Sequence, residues 1–431
     1  MSDSRRWIVP FVSAIFLAST LGALAGWALE RFKFWPWPVV DSVTEAAQSV
    51  IEFGEIVPMG RRVKAPAQAA RVRFRIHDPA RMQGGYYAIA GWDDARQHYA
   101  AWLYDAEGRV RHTWPMVYDL IDAGSPADSD DSPHGFAVLP DGSVIANFDR
   151  GRVMARFDAC GNPVWKKEGV FHHLISRAEN GSFWSWRGDD NTAYGHFQYM
   201  VNFDGETGAT LREIGLIEDV LRDDPATAIL LGVRLDREFR KFDKEPDKRW
   251  EDDLFHPNDV EELGSSLAPS FPMFAAGDLL VSIRRLNLVA VIDGRDHRLK
   301  WWSHGPWISQ HDADFTAEGL ISVYNNNTGR GTSEIVRMNP ATREVTQLPS
   351  AENAGWNSPF MGRHQYLPNG NVLIVAPGEG RVIERSATGE LVMEFNNLPA
   401  EGSAFNDHVE NGIWLPGDFF ETVPVCGTQA P

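Results

Sequence analysis

Basic residues are scarce in this sequence relative to acidic ones. The chain of 431 residues has 41 Lys and Arg against 59 Asp and Glu, which gives a formal net charge of -18. A surface that follows nucleic-acid phosphates needs the opposite balance, so we expect no nucleic-acid partner. An anionic substrate would need a local cationic pocket, because the field of the whole chain repels it.

Cysteines and nucleotide-binding motifs are also few or missing. The two cysteines are Cys160 and Cys426. An even number permits one disulfide in an exported chain, but two isolated thiols fit the sequence equally well. The sequence has no phosphate-cradling P-loop and no G-x-G-x-x-G between a strand and a helix. We therefore expect no nucleotide donor, and no cofactor or metal is predicted for the favoured function.

One long run lacks charged residues. Trp7 to Leu29 form 23 uncharged positions, which at ~1.5 Å per helical residue are enough to cross a hydrocarbon core of ~30 Å. Because the head is so short, residues 1–30 are predicted to be a signal anchor or transmembrane helix. The large domain would then lie on the periplasmic side of the inner membrane, after a linker at residues 31–75. A cleaved signal peptide ending near Ala25 is the alternative.

Beyond the linker, the texture of the sequence is that of short strands. Runs of alternating apolar residues are separated by turn signals such as Pro140-Asp141-Gly142 and Pro368-Asn369-Gly370. Strands of four to seven residues joined by tight turns predict an all-β barrel, sandwich or propeller.

An internal repeat distinguishes among these folds. The stretch His134 to Trp165 recurs in outline as His364 to Phe395, each with four strands, and looser copies begin at His173, His256 and His311. A sixth copy without the leading histidine spans residues 86–114. Six four-stranded units predict a six-bladed β-propeller over residues 76–425.

Two segments depart from the repeat. The interval from His173 to His256 is long, so we expect an insertion, with amphipathic helices at about residues 211–244. The segment Asn406 to Phe420 is predicted to add a closing strand to an outer edge.

Histidines stand at the entry of the innermost strand of most units. In a propeller these strands line a central channel, so distant histidines are brought to a common rim. The five entries carry His134, His172-His173, His256, His311 and His364. A single histidine at a strand start is usually structural, and this interpretation is strongest for His134 and His364.

Three short motifs follow one another along the repeat: His256-x-Asn258, Ser282-x-Arg284 and Gln310-His311. Together they resemble a known family, the arylsulfate sulfotransferases of bacterial periplasms. The resemblance extends over roughly residues 130 to 395, and it implies a six-bladed propeller with its active site in the channel.

The resemblance also implies roles for individual residues. It implies that His311 is transiently sulfurylated, that Arg284 and His256 hold the sulfuryl oxygens, and that Asn258 supports them in substrate binding. His173 resembles an additional catalytic histidine, with His172 beside it in the substrate site.

The chemistry of these residue types agrees with such roles. Sulfuryl transfer spreads charge over three oxygens, which suits the permanently charged guanidinium of Arg284. A neutral imidazole is a competent nucleophile near pH 7 and divides one transfer into two easier steps. In a regular strand Asp312 would point away from the channel; if Asp314 also did, the site would stay cationic. Four tryptophans could clamp an aromatic ring, although such residues are more often blade core: Trp301, Trp302, Trp307 and Trp356.

Three function classes therefore remain. The first is an aryl sulfotransferase that moves a sulfuryl group from an aryl sulfate to a phenol through a sulfohistidine. The second is a metal-dependent propeller hydrolase, in which histidines with Asp312 or Asp259 hold a divalent cation. The third is a non-catalytic, membrane-tethered propeller scaffold.

Overall fold

The computed structural model of the chain describes residues 16–17, 19–22, 62–123, 132–148, 151–188, 198–221, 224, 226–227, 255–350 and 355–426. The chain divides into two compact units, Met1–Val57 and Pro58–Pro431. In the first unit the described residues are helical, and the Thr20 hydroxyl donates to the Phe16 carbonyl at 2.8 Å. Most of the predicted anchor, residues 1–30, lies outside the described residues. Within the described part of the chain, no helix combines the length and the apolar character that crossing a membrane requires.

The second unit begins with two short strands and then the first blade. The strands are β1 (Arg62–Lys64) and β2 (Phe74–Ile76), followed by β3 (Tyr86–Asp93), β4 (His98–Asp105) and β5 (Val110–Pro115) of blade 1. Residues assigned to the linker by the sequence thus form strands in this unit.

Blades 2 to 4 each contain four consecutive antiparallel strands. Blade 2 is β6 (Gly135–Val138), β7 (Val144–Asn147), β8 (Val153–Phe157) and β9 (Pro163–Glu168). Blade 3 is β10 (Phe171–Arg177), β11 (Phe183–Arg187), β12 (Tyr199–Phe203) and β13 (Thr210–Gly215). Blade 4 is β14 (Pro257–Glu262), β15 (Leu279–Ile283), β16 (Leu288–Ile292) and β17 (Leu299–His304).

Blades 5 and 6 complete the ring. Blade 5 is β18 (His311–Phe315), β19 (Ile321–Asn325), β20 (Glu334–Met338) and β21 (Val345–Gln347). Blade 6 is β22 (Arg363–Tyr366), β23 (Val372–Ala376), β24 (Arg381–Arg385) and β25 (Leu391–Asn396), with β2 paired outside β25. The last strands are β26 (Phe405–Asp407), which pairs with β1, and β27 (Val409–Leu415). The prediction of a six-bladed all-β propeller is confirmed.

Ring closure differs from the prediction. The segment after Asn406 was expected at an outer edge, but β27 pairs with β3 as the innermost strand of blade 1. The physical reason is that residues 86–114 supply only three strands, so blade 1 needs an inner strand. The hydrogen bonds between β27 and β3 join the two ends of the propeller and close the ring, and β27 packs against β6 and β22 of the neighbouring blades.

The predicted helical insertion is partly wrong. Leu211 to Gly215 belong to β13, the outer strand of blade 3, because this stretch pairs along β12 from Gly215 to Thr210. A single π-helical turn follows at Leu216–Leu221, and residues 226–227 are helical. The rest of the segment up to residue 244 lies outside the described residues. Other short turns are 3-10 helices at Tyr118–Leu120, Ala268–Ser270, Arg284–Leu286 and Pro377–Glu379.

Packing between blades forms the core. Between blades 3 and 4, Trp184 and Trp186 pack with aliphatic side chains such as Val281, and each of these three residues is at most 1% exposed. Burial of one such aliphatic side chain contributes roughly 1.5–3 kcal/mol. The hairpin turns match the sequence signals: Gly142 and Gly370 both have φ of 84°, a conformation that glycine adopts without a Cβ clash.

A disulfide joins the two cysteines. Cys160 lies in the β8–β9 turn and Cys426 lies after β27, with 5.0 Å between their Cα atoms. Of the two possibilities that the sequence left open, the bonded one is found. The bond attaches the C-terminal segment to blade 2.

Candidate active site

Five histidines form one cluster at the entry of the inner strands. The histidine cluster consists of His134, His172, His173, His256 and His311. His173 is its centre: its ring centroid lies 4.3 Å from that of His134, 5.0 Å from those of His172 and His256, and 5.9 Å from that of His311. The structure therefore brings together residues from four blades, including His134, for which the sequence favoured a structural role.

His311 is held by a carboxamide that the sequence did not single out. Its Nδ1 lies 2.7 Å from Oδ1 of Asn326, directly after β19. The Nδ2 of Asn326 donates to the carbonyls of Ser358 and Met361 at 2.8 and 2.6 Å. Because a carboxamide oxygen only accepts hydrogen bonds, Nδ1 of His311 carries the hydrogen and Nε2 carries the lone pair.

A second carboxamide contacts the His172-His173 pair. Nε2 of His172 lies 2.9 Å from Oε1 of Gln198, and the two Nδ1 atoms of the pair are 2.7 Å apart. If Gln198 accepts from His172, the Nδ1 of neutral His172 accepts in turn from His173. The lone pair of His173 is then on Nε2.

Burial keeps His173 and His311 neutral. Burial lowers the pKa of His311 well below its usual value, and the charge of Arg284 lowers it further. Burial, followed by the other four histidines, lowers the pKa of His173 in the same direction. At neutral pH both rings therefore carry a lone pair.

Arg284 and Asn258 lie at the end of blade 4 where His256 precedes β14. The backbone N–H of Arg284, in the turn after β15, donates to the carbonyl of His256 at 3.0 Å. Asn258 is fully buried, and its Nδ2 donates to the carbonyl of Gln310 at 2.7 Å. Asn258 thus fixes the backbone immediately before His311.

Bulges in the inner strands change which side chains face the channel. Pairing shifts between His172 and Ile175, and again at Asn258 and Asp312. His173 and Asp312 have φ of 58° and 47°, in the left-handed region that L-residues seldom occupy. The expectation that Asp312 points away from the channel was wrong, because the bulge re-aims its side chain.

The carboxylate cluster lies further along the same strands. Asp259 and Glu261 of β14, with Asp312 and Asp314 of β18, line a cavity of about 340 Å³. Burial, followed by the Asp312 charge, raises the pKa of Asp259 and Asp314 to about 8. Burial raises that of Asp312 to about 7 and that of Glu261 well above its usual value. These carboxyl groups thus bind protons far more readily than free ones.

His364 is tied into the carboxylate cluster rather than the histidine cluster. Its Nδ1 lies 2.5 Å from Oδ2 of Asp312, and its Nε2 lies 2.7 Å from the Ser322 hydroxyl. The structural role favoured by the sequence agrees with these two bonds. The side chains of Asp312, Asp314 and His364 bring one ligand atom each within 4.8 Å of one another, a spacing that a metal ion accepts.

Sequence reasoning missed three polar partners. Asn326 stands in the run Asn325-Asn326-Asn327, which resembles an ordinary turn, and Gln198 has no local motif. Arg363 places its Nε 4.0 Å from Oδ1 of Asp312 and was hidden beside the repeat histidine. The run of three asparagines was the one sequence signal of these partners, because Asn side chains commonly form hydrogen bonds in turns.

The tryptophans considered as a clamp belong to the blades. Trp301, Trp307 and Trp356 are at most 4% exposed and pack in interblade clusters, while Trp302 packs against the cluster of blades 3 and 4. Their burial supports the core interpretation.

Comparison with known proteins gives a family match over the propeller. The family model described as Arylsulfotransferase (ASST) matches residues 135–398, more than half of the chain. No protein of curated function matches the chain significantly.

Solved structures with a similar course of the chain are distant in sequence. A protein of unknown function from Bacteroides caccae is 11% identical with a TM-score of 0.48, covering 73% of this chain and 94% of that one. A catalytically inactive virginiamycin B lyase from Staphylococcus aureus with quinupristin is 10% identical with a TM-score of 0.39, covering 75% and 87%. Hydrazine synthase from Kuenenia stuttgartiensis is 13% identical with a TM-score of 0.40, covering 67% and 70%. At such values these similarities carry no inference about function.

Proposed function

The chain belongs to the arylsulfotransferase family, and from this premise we propose that it moves a sulfuryl group from an aryl sulfate to a phenol through a sulfohistidine on His311. The observation that carries the proposal is the state of His311: buried, neutral, and with its lone pair on Nε2. The positive charge of Arg284 lowers the pKa of this ring, so a permanently charged guanidinium acts on the proposed nucleophile.

In the first half-reaction, Nε2 of His311 attacks the sulfur. A bond between sulfur and Nε2 forms while the bond between sulfur and the aryl oxygen breaks, and the phenolate leaves with the electron pair. Arg284 and His256 hold the sulfuryl oxygens, and the fork of Arg284 is suited to the spread charge. Asn258 acts through the backbone of Gln310, whose position it fixes.

In the second half-reaction, the acceptor phenol replaces the histidine. Its oxygen binds sulfur while its proton passes to Nε2 of His173, and the electron pair of the sulfur–nitrogen bond returns to His311. Because its pKa is lowered, His173 then gives this proton up to the released phenolate or to water and returns to its neutral form. His172 orients His173 through their Nδ1 contact. Because the donor is the aryl sulfate itself, the cycle needs no nucleotide.

The test is incubation with a chromogenic aryl sulfate, with and without a phenol acceptor. With acceptor, phenol release should continue; without acceptor, about one sulfuryl group per chain should remain bound, because the second step is blocked. His311→Ala should abolish both the label and turnover, and His364→Ala should retain them per folded molecule. Full turnover by His311→Ala would exclude the sulfohistidine route.

We also propose that residues 1–30 anchor the chain in the inner membrane with the propeller outside the cytoplasm. The support is the uncharged run of 23 residues from Trp7 to Leu29, which is long enough to cross a hydrocarbon core as a helix. Protease added to spheroplasts should digest the propeller while leaving a cytoplasmic marker intact. Protection equal to that of the marker would contradict the arrangement.

The metal-dependent hydrolase stays a second candidate because Asp312, Asp314 and His364 have compatible spacing. Such a metal would be bound in the carboxylate cluster, by residues other than His311. Turnover that is lost with a chelator and returns with a divalent cation would favour it. Turnover that is unchanged by a chelator favours the sulfohistidine route.

A further inference from the structure

The nucleophilic histidine has two distinct nitrogens, and the fold treats them differently. His311 is 4% exposed, and its Nδ1 is occupied by Asn326 at 2.7 Å. Asn326 is itself fully buried. A contact between two buried side chains of this kind is expected to hold a single geometry.

The direction of the Asn326 carboxamide is fixed from its other end. Its Nδ2 donates to two carbonyl oxygens, those of Ser358 and Met361. Reversing the carboxamide would set its oxygen against both carbonyls, which offer no hydrogen. The segment around Ser358 is tied down in turn, since the Ser333 hydroxyl donates to the carbonyl of Asn326 at 3.0 Å and accepts the Ser358 N–H at 2.9 Å.

A neutral acceptor has a different effect from a carboxylate at this place. A carboxylate beside Nδ1 would stabilise the imidazolium, raise the pKa of His311 and occupy the Nε2 lone pair with a proton. A carboxamide selects the same tautomer with far less stabilisation of the charged form. Burial and Arg284, which lower the pKa of His311, then keep the ring neutral.

From these contacts we infer that Asn326 is a positioning residue that holds His311 as the Nδ1–H tautomer, so that the sulfuryl group is carried on Nε2. The inference rests on the proposed function and specifies which nitrogen reacts. When Nε2 binds sulfur, the ring becomes a sulfo-imidazolium whose Nδ1–H still donates to Asn326. When the acceptor takes the sulfuryl group, the electron pair returns to Nε2 and the neutral tautomer is restored.

The first measurement needs no activity. Long-range ¹⁵N–¹H correlation spectra of the full chain, with His311 assigned by its loss in His311→Ala, report which ring nitrogen is protonated. We expect the Nδ1–H tautomer at pH 7.5. An Nε2–H tautomer would overturn the inference, whether or not the protein transfers sulfuryl groups.

The second measurement is the pH profile of single-turnover labelling by an aryl sulfate. Asn326→Asp still accepts from Nδ1 and sets its second oxygen against the carbonyls of Ser358 and Met361, as Asn202→Asp does at Phe183. Once ionised it adds a negative charge beside the ring, so the acidic limb should move upward by about one pH unit or more, with recovery at high pH. Asn326→Leu lacks the acceptor and should lose on the order of 10²-fold or more in labelling rate at every pH, since a wrong tautomer costs ~10⁴-fold in a serine protease triad.

Asn202→Asp is the matched control. Asn202 is a buried carboxamide on β12, the third strand of blade 3, and its Nδ2 also donates twice, to the Ser182 hydroxyl and the Phe183 carbonyl. This variant should keep the wild-type pH profile. An unshifted profile in Asn326→Asp would overturn the positioning role alone. A wild-type chain that takes no label would instead contradict the proposed function and leave the spectroscopic test to decide the tautomer.

Discussion

The histidine cluster includes His256 and His311 at the entries of β14 and β18, and the carboxylate cluster lies further along these two strands, yet burial acts on the two clusters in opposite chemical directions. In the histidine cluster, burial is the largest cause of the lowered pKa values of His173 and His311. In the carboxylate cluster, burial is the largest cause of the raised pKa values of Asp259, Asp312 and Asp314. Burial disfavours the charged form in both cases.

Under the proposed function, this difference lets one acidic chain offer a channel to a sulfate ester. Losing positive charge gives His311 a free lone pair, and binding protons reduces the repulsion that Asp312 and Asp314 would exert on an anion. The charge of Arg284 acts on His311 and that of Arg363 acts on Asp312, and Arg177 also lines the cavity of the carboxylate cluster. We expect these guanidiniums to be the lasting charges of the channel because they do not lose their protons.

The largest expected effect separates the two arginines. Arg284→Lys keeps the charge but loses the planar fork, so the rate of labelling should fall about 10²- to 10³-fold, the range seen when a transition-state donor is removed. Arg363→Lys, the matched change in the carboxylate cluster, should stay within about threefold. Both rates are measured by phenol release in a single turnover. Equal losses in the two variants would show that the clusters act as one site.

A smaller effect concerns stability. His364→Ala removes a fully buried ring and leaves the Asp312 carboxylate and the Ser322 hydroxyl without their shared partner. The free energy of unfolding should fall by about 2–4 kcal/mol, measured by urea denaturation. The label per folded molecule should be kept. A stable variant without label would place His364 in the chemistry instead.

The smallest effect is a pH dependence of stability. A carboxyl group whose folded pKa is raised binds more protons in the folded state, so its stabilising contribution is complete below the unfolded pKa of ~4 and is lost as the pH rises to the folded value. For Asp314 that value is about 8. Histidines with lowered pKa act oppositely, losing stability as the pH falls below ~6.5.

The range from pH 7 to 8.5 therefore reports mainly on the carboxylate cluster. The free energy of unfolding of the wild type should fall there, by up to about 1.4 kcal/mol per pH unit for each proton that differs. Asp314→Asn removes one such group and should flatten the slope, as seen in urea denaturation at several pH values. A slope that is unchanged by the substitution would show that Asp314 titrates as an ordinary carboxyl.

Much of the fold could be predicted because its signals are local. The turn at Pro140-Asp141-Gly142 and its counterpart at Asn369-Gly370 punctuate strands whose alternation is visible in the sequence. Stacking such four-stranded units predicts a propeller, and the leading histidines predict a common rim. The three-stranded first unit could have predicted that a C-terminal strand completes blade 1. Whether that strand lies at the inner or the outer edge depends on which strand blade 1 lacks, and the sequence does not show this.

The candidate site was predicted in its residue types and only partly in its geometry. His173, His256 and His311 do meet, as expected for equivalent places in successive blades. The run Asn325-Asn326-Asn327 was the one hint of Asn326, and Gln198 could not be foreseen, because their bonds to histidines depend on where a turn and the residue before β12 place a side chain. The direction of the Asp312 side chain was predicted wrongly, because one added bulge residue reverses the alternation of side chains that a regular strand has.

The sequence by itself determined the strands, their grouping into repeated units and the positions of the reactive side chains, since alternation, turn residues and spacing act over a few neighbours. Only the tertiary structure decided the pairing of Cys160 with Cys426, the inward turn of Asp312 and the contact of Asn326 with His311. These contacts depend on ring closure and on bulges, which bring distant backbone segments within a few ångströms. Burial in the closed channel then shifts the pKa values of side chains that would titrate normally in an open chain.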